Sequence, residues 1–376
     1  MIRNILLFLL ICQIFSKTDL YVGYSGKSNN FHTVQDAVDK AASINPNNED
    51  GRVTIHIAPG TYRQQIVVNT PYITFINDEP SKGQVLLTFY YGIGYQYYSA
   101  NEIGFFDKNL FAKKSSKRSG VYRWGATVHV LSKASYFKAQ DIVFENSFNR
   151  YMTEQEIEDG VEPEAGSTLP QRTSSLDVKA KESTERAAAI SIEATYVEFL
   201  NCKFYSSQDT LYTGGSPLYF KNCLIEGETD YIFGESNAVF DSCELSWKGF
   251  STNPKGGHIT ASKATGTGYL MYNCKVTKNK GLSVKAGDFG RPWGQNAQVF
   301  YVNTILEDDT TIIPAGWGAM GGVQPENVEG FKEYGTKYAN GSPVSTSQRK
   351  GHVLSDKDVE NLDIKKYMNN WTPSFM

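Results

Sequence analysis

The chain has 376 residues and a formal net charge of −3, which excludes the strongly basic surface of a nucleic-acid-binding protein. Its 23 Tyr, 21 Phe and 33 Gly residues, together with a modest share of charged residues, are typical of a β-rich protein. A single β-rich domain can reach this length and bury a large core.

The first 16 residues are predicted to be a secretory signal. Arg3 supplies the positive charge, residues 5–11 form an uninterrupted apolar run, and Ser16 is a small residue at a plausible cleavage point. The apolar run is too short to span a bilayer, and no later stretch is long and apolar enough to do so. We therefore expect a secreted, extracellular protein with no membrane association, whose single domain occupies residues 17–376.

After this segment, the chain is predicted to form a short capping helix and then strands. Thr33 is a typical N-cap, and apolar residues follow it at helical spacing. Residues 53–57, 66–68 and 73–76 are strand-like runs that turn residues separate. The pattern indicates one helix at the start of a β-structure.

Six later segments share a strand pattern of the type Phe-Lys-Asn-Cys. They are residues 137–140, 199–202, 220–223, 240–243, 271–274 and 300–303. Their unequal spacing over a constant motif favours a solenoid whose turns carry loops of different length. We therefore predict an all-β, single-domain right-handed parallel β-helix (a solenoid) with a short N-terminal capping helix and a C-terminal tail. A β-sandwich with coincidental repeats is the alternative, and a β/α alternation is disfavoured because the connections lack helical periodicity.

The cysteines of this motif are expected to form a column in the core. Stacked coils lie about 4.8 Å apart, within the range that a disulfide can bridge. Cys223 and Cys243 occupy the same place on neighbouring coils, so we predict a disulfide between them in the oxidising environment outside the cell. Cys202 and Cys274 would then be buried thiols.

Two insertions interrupt the repeat. One covers about residues 89–120 and is rich in Tyr and Phe, which either line a binding groove or pack over the solenoid. The other covers residues 151–185, is rich in polar residues, and is expected to be a long surface loop without strands. Residues 354–372 are predicted to be a polar tail with one short helix on the outside.

The chain lacks the residues of the common hydrolase and metal sites. There is no Gly-x-Ser-x-Gly motif, and none of the five histidines lies in a pair spaced for metal binding, so we expect no metal and no cofactor. The chemistry must then use carboxylates and a cation. Asp209 and Asp230 each lie seven residues after a column cysteine, which places them side by side on consecutive coils, and Arg291 is a candidate partner.

At these residues the chain resembles the pectin methylesterases. The resemblance rests on Gln-Asp-Thr-Leu-Tyr at 208–212, Asp-Tyr-Ile-Phe-Gly at 230–234 and Gly-Arg-Pro-Trp at 290–293, and it extends over nearly all of residues 17–376. In length and in its predicted signal peptide, the chain looks closer to bacterial and insect members than to plant members, which often carry a pro-domain. The resemblance implies hydrolysis of the C6 methyl esters of galacturonate in pectin (homogalacturonan).

The resemblance also implies a role for each site residue. Asp230 would be the nucleophile, Asp209 the general acid and base, and Arg291 the partner that keeps Asp230 ionised. Gln208 would donate to the oxyanion. Several further positions match or adjoin those that contact the sugar chain: Trp293, Tyr212, Phe233, Tyr231, Trp317, Met320 and Thr127. We expect the protein to act as a monomer, with pectin as its partner.

One departure from the family pattern lies in the oxyanion hole. Members usually have a second glutamine 22 residues before the first, and this chain has Arg186 there. Arg186 is a candidate oxyanion donor, and the competing interpretation is a salt bridge to the 151–185 insertion. Two other functions stay open: a β-helix polysaccharide lyase or galacturonase, although its acidic cluster or Gly-His-Gly element is not found, and a catalytically silent pectin-binding homologue.

Overall fold

A computed structural model describes residues 17–180, 185–263 and 266–376. The predicted signal segment lies outside the described residues. The chain winds through three parallel sheets in turn, with one strand in each sheet per coil, as at Leu218–Lys221, Leu224–Gly227 and Thr229–Gly234. This winding is a right-handed parallel β-helix, and it confirms the predicted fold class.

The strands of each sheet follow in order along the solenoid. Sheet one has twelve strands: Asn30–Phe31, Thr18–Val22, Val53–Ile57, Ile73–Ile76, Lys138–Gln140, Val197–Leu200, Leu218–Lys221, Ala238–Asp241, Tyr269–Tyr272, Gln298–Val302, Gly330–Tyr334 and His352–Val353. Sheet two has nine: Gly60–Arg63, Val85–Phe89, Ile142–Asn146, Lys203–Tyr205, Leu224–Gly227, Glu244–Trp247, Lys275–Lys278, Ile305–Leu306 and Lys337–Tyr338. Sheet three has seven: Ile66–Val68, Val128–Val130, Ile190–Ile192, Leu211–Thr213, Thr229–Gly234, His258–Ser262 and Asp288–Pro292.

Helices are few and short. The α-helices are Val34–Ile44, Lys108–Lys113, Glu154–Glu158, Asp356–Val359 and Ile364–Tyr367, and the 3-10 helices are Arg123–Gly125, Val178–Ala180 and Pro325–Asn327. The first helix confirms the predicted capping helix, because the Thr33 side chain accepts a hydrogen bond from the backbone N–H of Asp36.

Stacked aromatic rings fill the core between the sheets. Phe199, Phe220 and Phe240 lie in the same register on successive strands of sheet one. Their ring centroids are 4.9 Å and 4.6 Å apart, and their planes are parallel within 5°. All three are fully buried. The spacing equals that of the strands, so the aromatic residues of the central repeats form a continuous ladder in the core.

The repeat itself was misaligned at its two ends. Phe199 pairs with Ala139 rather than with Phe137, and Met271 pairs with Tyr301 rather than with Phe300. The third residue of the motif explains the difference, because it turns the chain from sheet one to sheet two. In the four central segments that residue has a left-handed backbone: Asn201, Asn222, Ser242 and Asn273. The equivalent left-handed residues of the first and last coils are Asp141 and Asn303, two places and one place beyond the third position of their segments, which accounts for the shifted pairing. The turn residue, not the aromatic residue, fixes the register.

The predicted disulfide is not formed. Cys202, Cys223, Cys243 and Cys274 are all free and buried. The thiols of Cys223 and Cys243 donate to backbone carbonyls, at 3.4 Å and 3.5 Å. The prediction was wrong because equivalent residues of stacked parallel strands point in the same direction, whereas a disulfide needs β-carbons that approach to about 3.8 Å.

The two insertions pack against each other. Tyr95–Gln96 of the first pairs antiparallel with Glu162–Pro163 of the second, which corrects the expectation of a strandless loop. Four tyrosines of the first insertion, Tyr90, Tyr91, Tyr95 and Tyr97, are buried with Phe148, so packing is the alternative that the structure supports. Arg172 anchors the second insertion through ion pairs with Glu156 and Glu185.

The C-terminal tail contains two short helices rather than the single predicted one. The buried side chain of Met368 and the partly buried Trp371 pack with Tyr219, Val239 and Leu270 on the outer face of sheet one. The tail therefore docks outside the solenoid, as expected. Within the described ranges, no helix is long and apolar enough to cross a membrane.

Candidate active site

Asp209 and Asp230 lie side by side on adjacent coils at sheet three. Gln208 forms a parallel β-bridge with Thr229, and the backbone N–H of Asp209 donates to the Thr229 carbonyl at 3.0 Å. This register agrees with the equal offsets of the two aspartates from Cys202 and Cys223. Both aspartates are only 5% exposed, so they lie at the bottom of a cleft and not on the outer surface.

The backbone at both aspartates departs from a regular strand. Asp209 has φ of 63° and Asp230 has φ of 51°, values that few non-glycine residues adopt, although Asp tolerates them better than most. The ladder between the strands of Asp230 and His258 also shifts register between Thr229 and Ile232. Such irregularities redirect side chains and occur often next to active sites.

Arg291 holds Asp230 in a two-pronged ion pair. The Arg291 Nε and Nη2 atoms donate to Asp230 Oδ1 and Oδ2 at 2.8 Å and 2.6 Å. Burial lowers the pKa of Arg291, but the hydrogen bond and the charge of Asp230 outweigh it, so the net pKa is raised. The two hydrogen bonds fix the orientation of the Asp230 carboxyl group and place a positive charge directly beside it.

Asp209 has the opposite electrostatic environment. Burial raises its pKa well above the usual range, and the negative charge of Asp230 raises it further. Arg186 and Arg291 lower the pKa only in part. The site therefore contains one carboxyl group, Asp209, whose surroundings favour its proton, beside another, Asp230, that a guanidinium binds through two hydrogen bonds.

Aromatic side chains form the walls of this cleft, which has a volume of about 180 Å³. Trp124 lies 5.2 Å from Phe233 and 6.2 Å from Trp293, measured between ring centroids. Tyr212 packs against Phe233 at 5.2 Å. The complete lining is Trp124, Arg186, Gln208, Asp209, Asp230, Phe233, Ala261, Arg291, Trp293 and Met320. Aromatic walls around a polar floor are suited to a sugar chain.

Residues 164–370, more than half of the chain, match the family model described as Pectinesterase. The chain belongs to the pectinesterase family. Among its relatives, pectinesterase QRT1 of Arabidopsis thaliana is 27% identical over 89% of this chain and 72% of its own length. Pectinesterase 31 of the same plant is 29% identical over 82% of this chain and 79% of its own.

Solved structures agree in fold with this pectinesterase. A pectin methylesterase from Aspergillus niger superposes with a TM-score of 0.64 at 24% identity, covering 95% of this chain and 97% of that one. The pectin methylesterase PemA from Erwinia chrysanthemi gives 0.65 at 19% identity, with coverage of 96% and 99%. These likenesses support the parallel β-helix.

Two candidate oxyanion donors line the cleft of this pectinesterase. Arg186 forms a parallel β-bridge with Gln208, so the residue counted 22 positions earlier lies on the neighbouring coil. The Gln208 amide oxygen makes no hydrogen bond with the residues that the structure describes. Arg186 is exposed, and no acidic side chain among those residues lies within 4.0 Å of its guanidinium. Glu185 pairs with Arg172 instead.

Three predicted substrate contacts lie in the core instead of the cleft. Tyr231 is fully buried against Trp247, with centroids 5.6 Å apart. Trp317 is 1% exposed and stacks on Phe331. Thr127 is fully buried, and its hydroxyl donates to the Glu145 carbonyl. The irregular backbone at Asp230 explains the burial of Tyr231, because it turns the Tyr231 side chain toward the core.

Trp124 and the pair of His258 and Asp288 were missed in the sequence. Trp124 follows the first insertion and has φ of 64°, so only the folded chain brings it over the cleft. The His258 Nδ1 atom lies 2.9 Å from the Asp288 carboxylate, on the two strands beyond that of Asp230. Burial raises the pKa of Asp288, and His258 partly offsets it. No sequence motif indicates that His258 and Asp288 are adjacent in the folded chain.

Proposed function

We propose that this pectinesterase hydrolyses the C6 methyl esters of galacturonate units in pectin, with Asp230 as nucleophile and Asp209 as general acid and base. The observation that carries the proposal is the unequal pair of carboxyl groups, one bound by Arg291 and the other buried without a guanidinium of its own. One charged and one protonated carboxyl group are what a two-step ester hydrolysis needs at the start.

In the first step, an Asp230 oxygen attacks the ester carbonyl carbon and forms a tetrahedral intermediate. Collapse breaks the bond to the methoxy group, and Asp209 donates its proton so that methanol leaves. The raised pKa of Asp209 supports this role, because it keeps the proton available at a pH where an ordinary aspartate has lost it. The product is an acyl-enzyme on Asp230.

In the second step, Asp209 acts as a base. It removes a proton from water, the resulting hydroxide attacks the acyl carbon, and Asp230 is released as a carboxylate together with the free galacturonate. Gln208 and Arg186 are the proposed donors to the oxyanion in both steps. Arg186 supplies a charged donor where the family usually has an amide, and a guanidinium can present more than one N–H.

The walls of the cleft support a polysaccharide substrate. Trp293, Phe233, Tyr212 and Met320 are proposed to contact the sugar rings, with Trp124 as an additional contact. We further propose that the protein is secreted, on the basis of the predicted signal at residues 1–16, and that it acts outside the cell as a monomer.

Methanol release from highly methylated pectin tests the proposal. We expect release by the wild-type protein and a loss on the order of 10³-fold or more in Asp230→Asn, while Asp50→Asn, the same change at an exposed aspartate, keeps full activity. Ultraviolet absorbance from unsaturated products would instead identify a lyase. Pectin binding without methanol would identify a silent homologue. Near-normal turnover by Asp230→Asn would overturn the mechanism.

A further inference from the structure

His258 and Asp288 form a polar pair on adjacent strands of sheet three. They occupy matching positions in the ladder between His258–Ser262 and Asp288–Pro292. The His258 Nδ1 atom lies 2.9 Å from each of the two carboxylate oxygens of Asp288. The Asp288 side chain is only 5% exposed, and in the described part of the chain no other side chain hydrogen-bonds to it. A buried carboxyl group therefore depends on one imidazole ring for its hydrogen bonds.

This pair lies beside the catalytic cleft without lining it. The backbone at Gly318 covers the pair, since a β-carbon added there would lie 2.5 Å from the Asp288 Oδ2 atom and 3.0 Å from the His258 Cε1 atom. Two residues further along the chain, Met320 does line the cleft. His258 and Asp288 are therefore not placed to exchange protons with the ester, and any effect on the reaction must pass through another residue.

Arg291 is the residue that connects the pair with the cleft. It follows Asp288 by three residues on the same strand, a span of at most about 10 Å. To bond with Asp230, its side chain already reaches across two strand spacings of about 4.8 Å each. Asp288 is therefore about as close to the origin of the Arg291 side chain as Asp230 is. A guanidinium can bind either carboxylate through two N–H groups.

The charges of both carboxyl groups act on Arg291. Burial lowers the pKa of Arg291, whereas the hydrogen bond and charge of Asp230, and then the charge of Asp288, raise it. Burial raises the pKa of Asp288, and His258 counters this more strongly than Arg291 does. Yet both side-chain hydrogen bonds that join Arg291 to a carboxylate go to Asp230. The imidazole on Asp288 accounts for this choice.

We propose that His258 is a positioning residue that occupies the Asp288 carboxylate and thereby leaves the Arg291 guanidinium to Asp230. Without the imidazole, Asp288 is a buried carboxylate with no hydrogen-bond donor, and it competes with Asp230 for the one guanidinium that can reach both. The inference rests on the proposed function, in which Arg291 must stay on the nucleophile during ester hydrolysis.

Removing first the imidazole and then the competing charge tests this role. We expect His258→Ala to lower kcat for methanol release from methylated pectin by about 10–100-fold, because the nucleophile loses its orientation. KM should change by no more than about twofold, since the pair does not line the cleft. His258→Gln, whose amide can still donate to Asp288, should keep most of the activity.

The decisive variant is His258→Ala combined with Asp288→Asn. It contains no competing carboxylate, so kcat should return to within about threefold of the wild-type value. A pair with a purely structural role predicts the opposite, a double variant at least as impaired as His258→Ala. Asp288→Asn alone should keep wild-type activity, and this variant decides the matter if His258→Ala does not fold. Full activity in His258→Ala, no recovery in the double variant, or a large loss in Asp288→Asn would each overturn the inference.

His56→Ala is the matched control. The His56 Nδ1 atom lies 2.6 Å from the Asp78 carboxylate on sheet one, away from the cleft, so the loss of this pair should leave kcat unchanged. A readout without turnover separates the inference from the proposed function. The coupling between Arg291→Met and Asp230→Asn, measured by urea unfolding, should fall by at least half in the His258→Ala background. A reduced coupling in a wild-type protein that releases no methanol refutes the proposed hydrolysis alone, whereas methanol release with an unchanged coupling refutes the role of His258 alone.

Discussion

The ion pair between Arg291 and Asp230 should be strongly coupled in a double-mutant cycle. Two charge-assisted hydrogen bonds join the residues, at 2.8 Å and 2.6 Å, and each such bond contributes about 1.5–3 kcal/mol. Removing one partner of a buried pair costs about 3–5 kcal/mol. The Arg291 side chain is 23% exposed, so we expect a coupling near the lower end, about 3 kcal/mol.

The cycle consists of Arg291→Met, Asp230→Asn and the double variant, each unfolded in urea at neutral pH. Met preserves the apolar length of the side chain, so the cycle reports mainly on the charged contacts. Arg291→Met alone should be the least stable of the three, because it leaves a buried carboxyl group without its partner. Equal m-values across the set are needed to compare the free energies of unfolding.

A surface pair provides the control. The Arg118 Nη2 atom lies 3.9 Å from Glu102, with side chains 38% and 87% exposed. The matched cycle of Arg118→Met and Glu102→Gln should give a coupling of about 0–1 kcal/mol. A coupling between Arg291 and Asp230 no larger than this control value would refute the inference that Arg291 binds Asp230 strongly in the folded protein.

Three further predictions concern Asp209, Arg186 and the column of cysteines. Asp209→Asn should lower methanol release on the order of 10³-fold. Because the folded protein binds this proton more tightly than the unfolded chain, wild-type stability should fall as the pH rises through the raised pKa of Asp209, and urea titrations of Asp209→Asn should lack this fall. Arg186→Gln should keep kcat within about tenfold, whereas full activity in Arg186→Ala would remove this side chain from the site. Alkylation of the unfolded protein without reductant should label all four column cysteines, which are Cys202, Cys223, Cys243 and Cys274. A disulfide-linked pair found by mass spectrometry would contradict the structure.

The central geometry of the site could be predicted because a solenoid repeats. Equal offsets from Cys202 and Cys223 were sufficient to place Asp209 beside Asp230, since the path between sheet one and sheet three has the same length on both coils. The same reasoning failed where the turn residue, rather than the aromatic residue, fixes the register, as at Phe137. The repeat therefore predicts which residues pair on neighbouring coils only when its segments are aligned on the residue that turns the chain.

The direction of side chains could not be predicted from the sequence. The spacing of Cys223 and Cys243 suggested a bond, but parallel side chains on stacked strands do not face each other. Tyr231 was assigned to the cleft as a neighbour of Asp230, yet the irregular backbone turns it into the core. Trp124 depends on an insertion that folds back over the sheet, a long-range contact that no local pattern encodes.

Burial alone does not distinguish the two aspartates, because both are 5% exposed. The difference comes from the direction of one guanidinium. Arg291 places two N–H groups on Asp230 and acts on Asp209 only through space, so Asp209 bears the cost of burial together with the repulsion of its neighbour. The proposed assignment of nucleophile and acid thus rests on the position of Arg291, on the strand that lies two strands beyond that of Asp230.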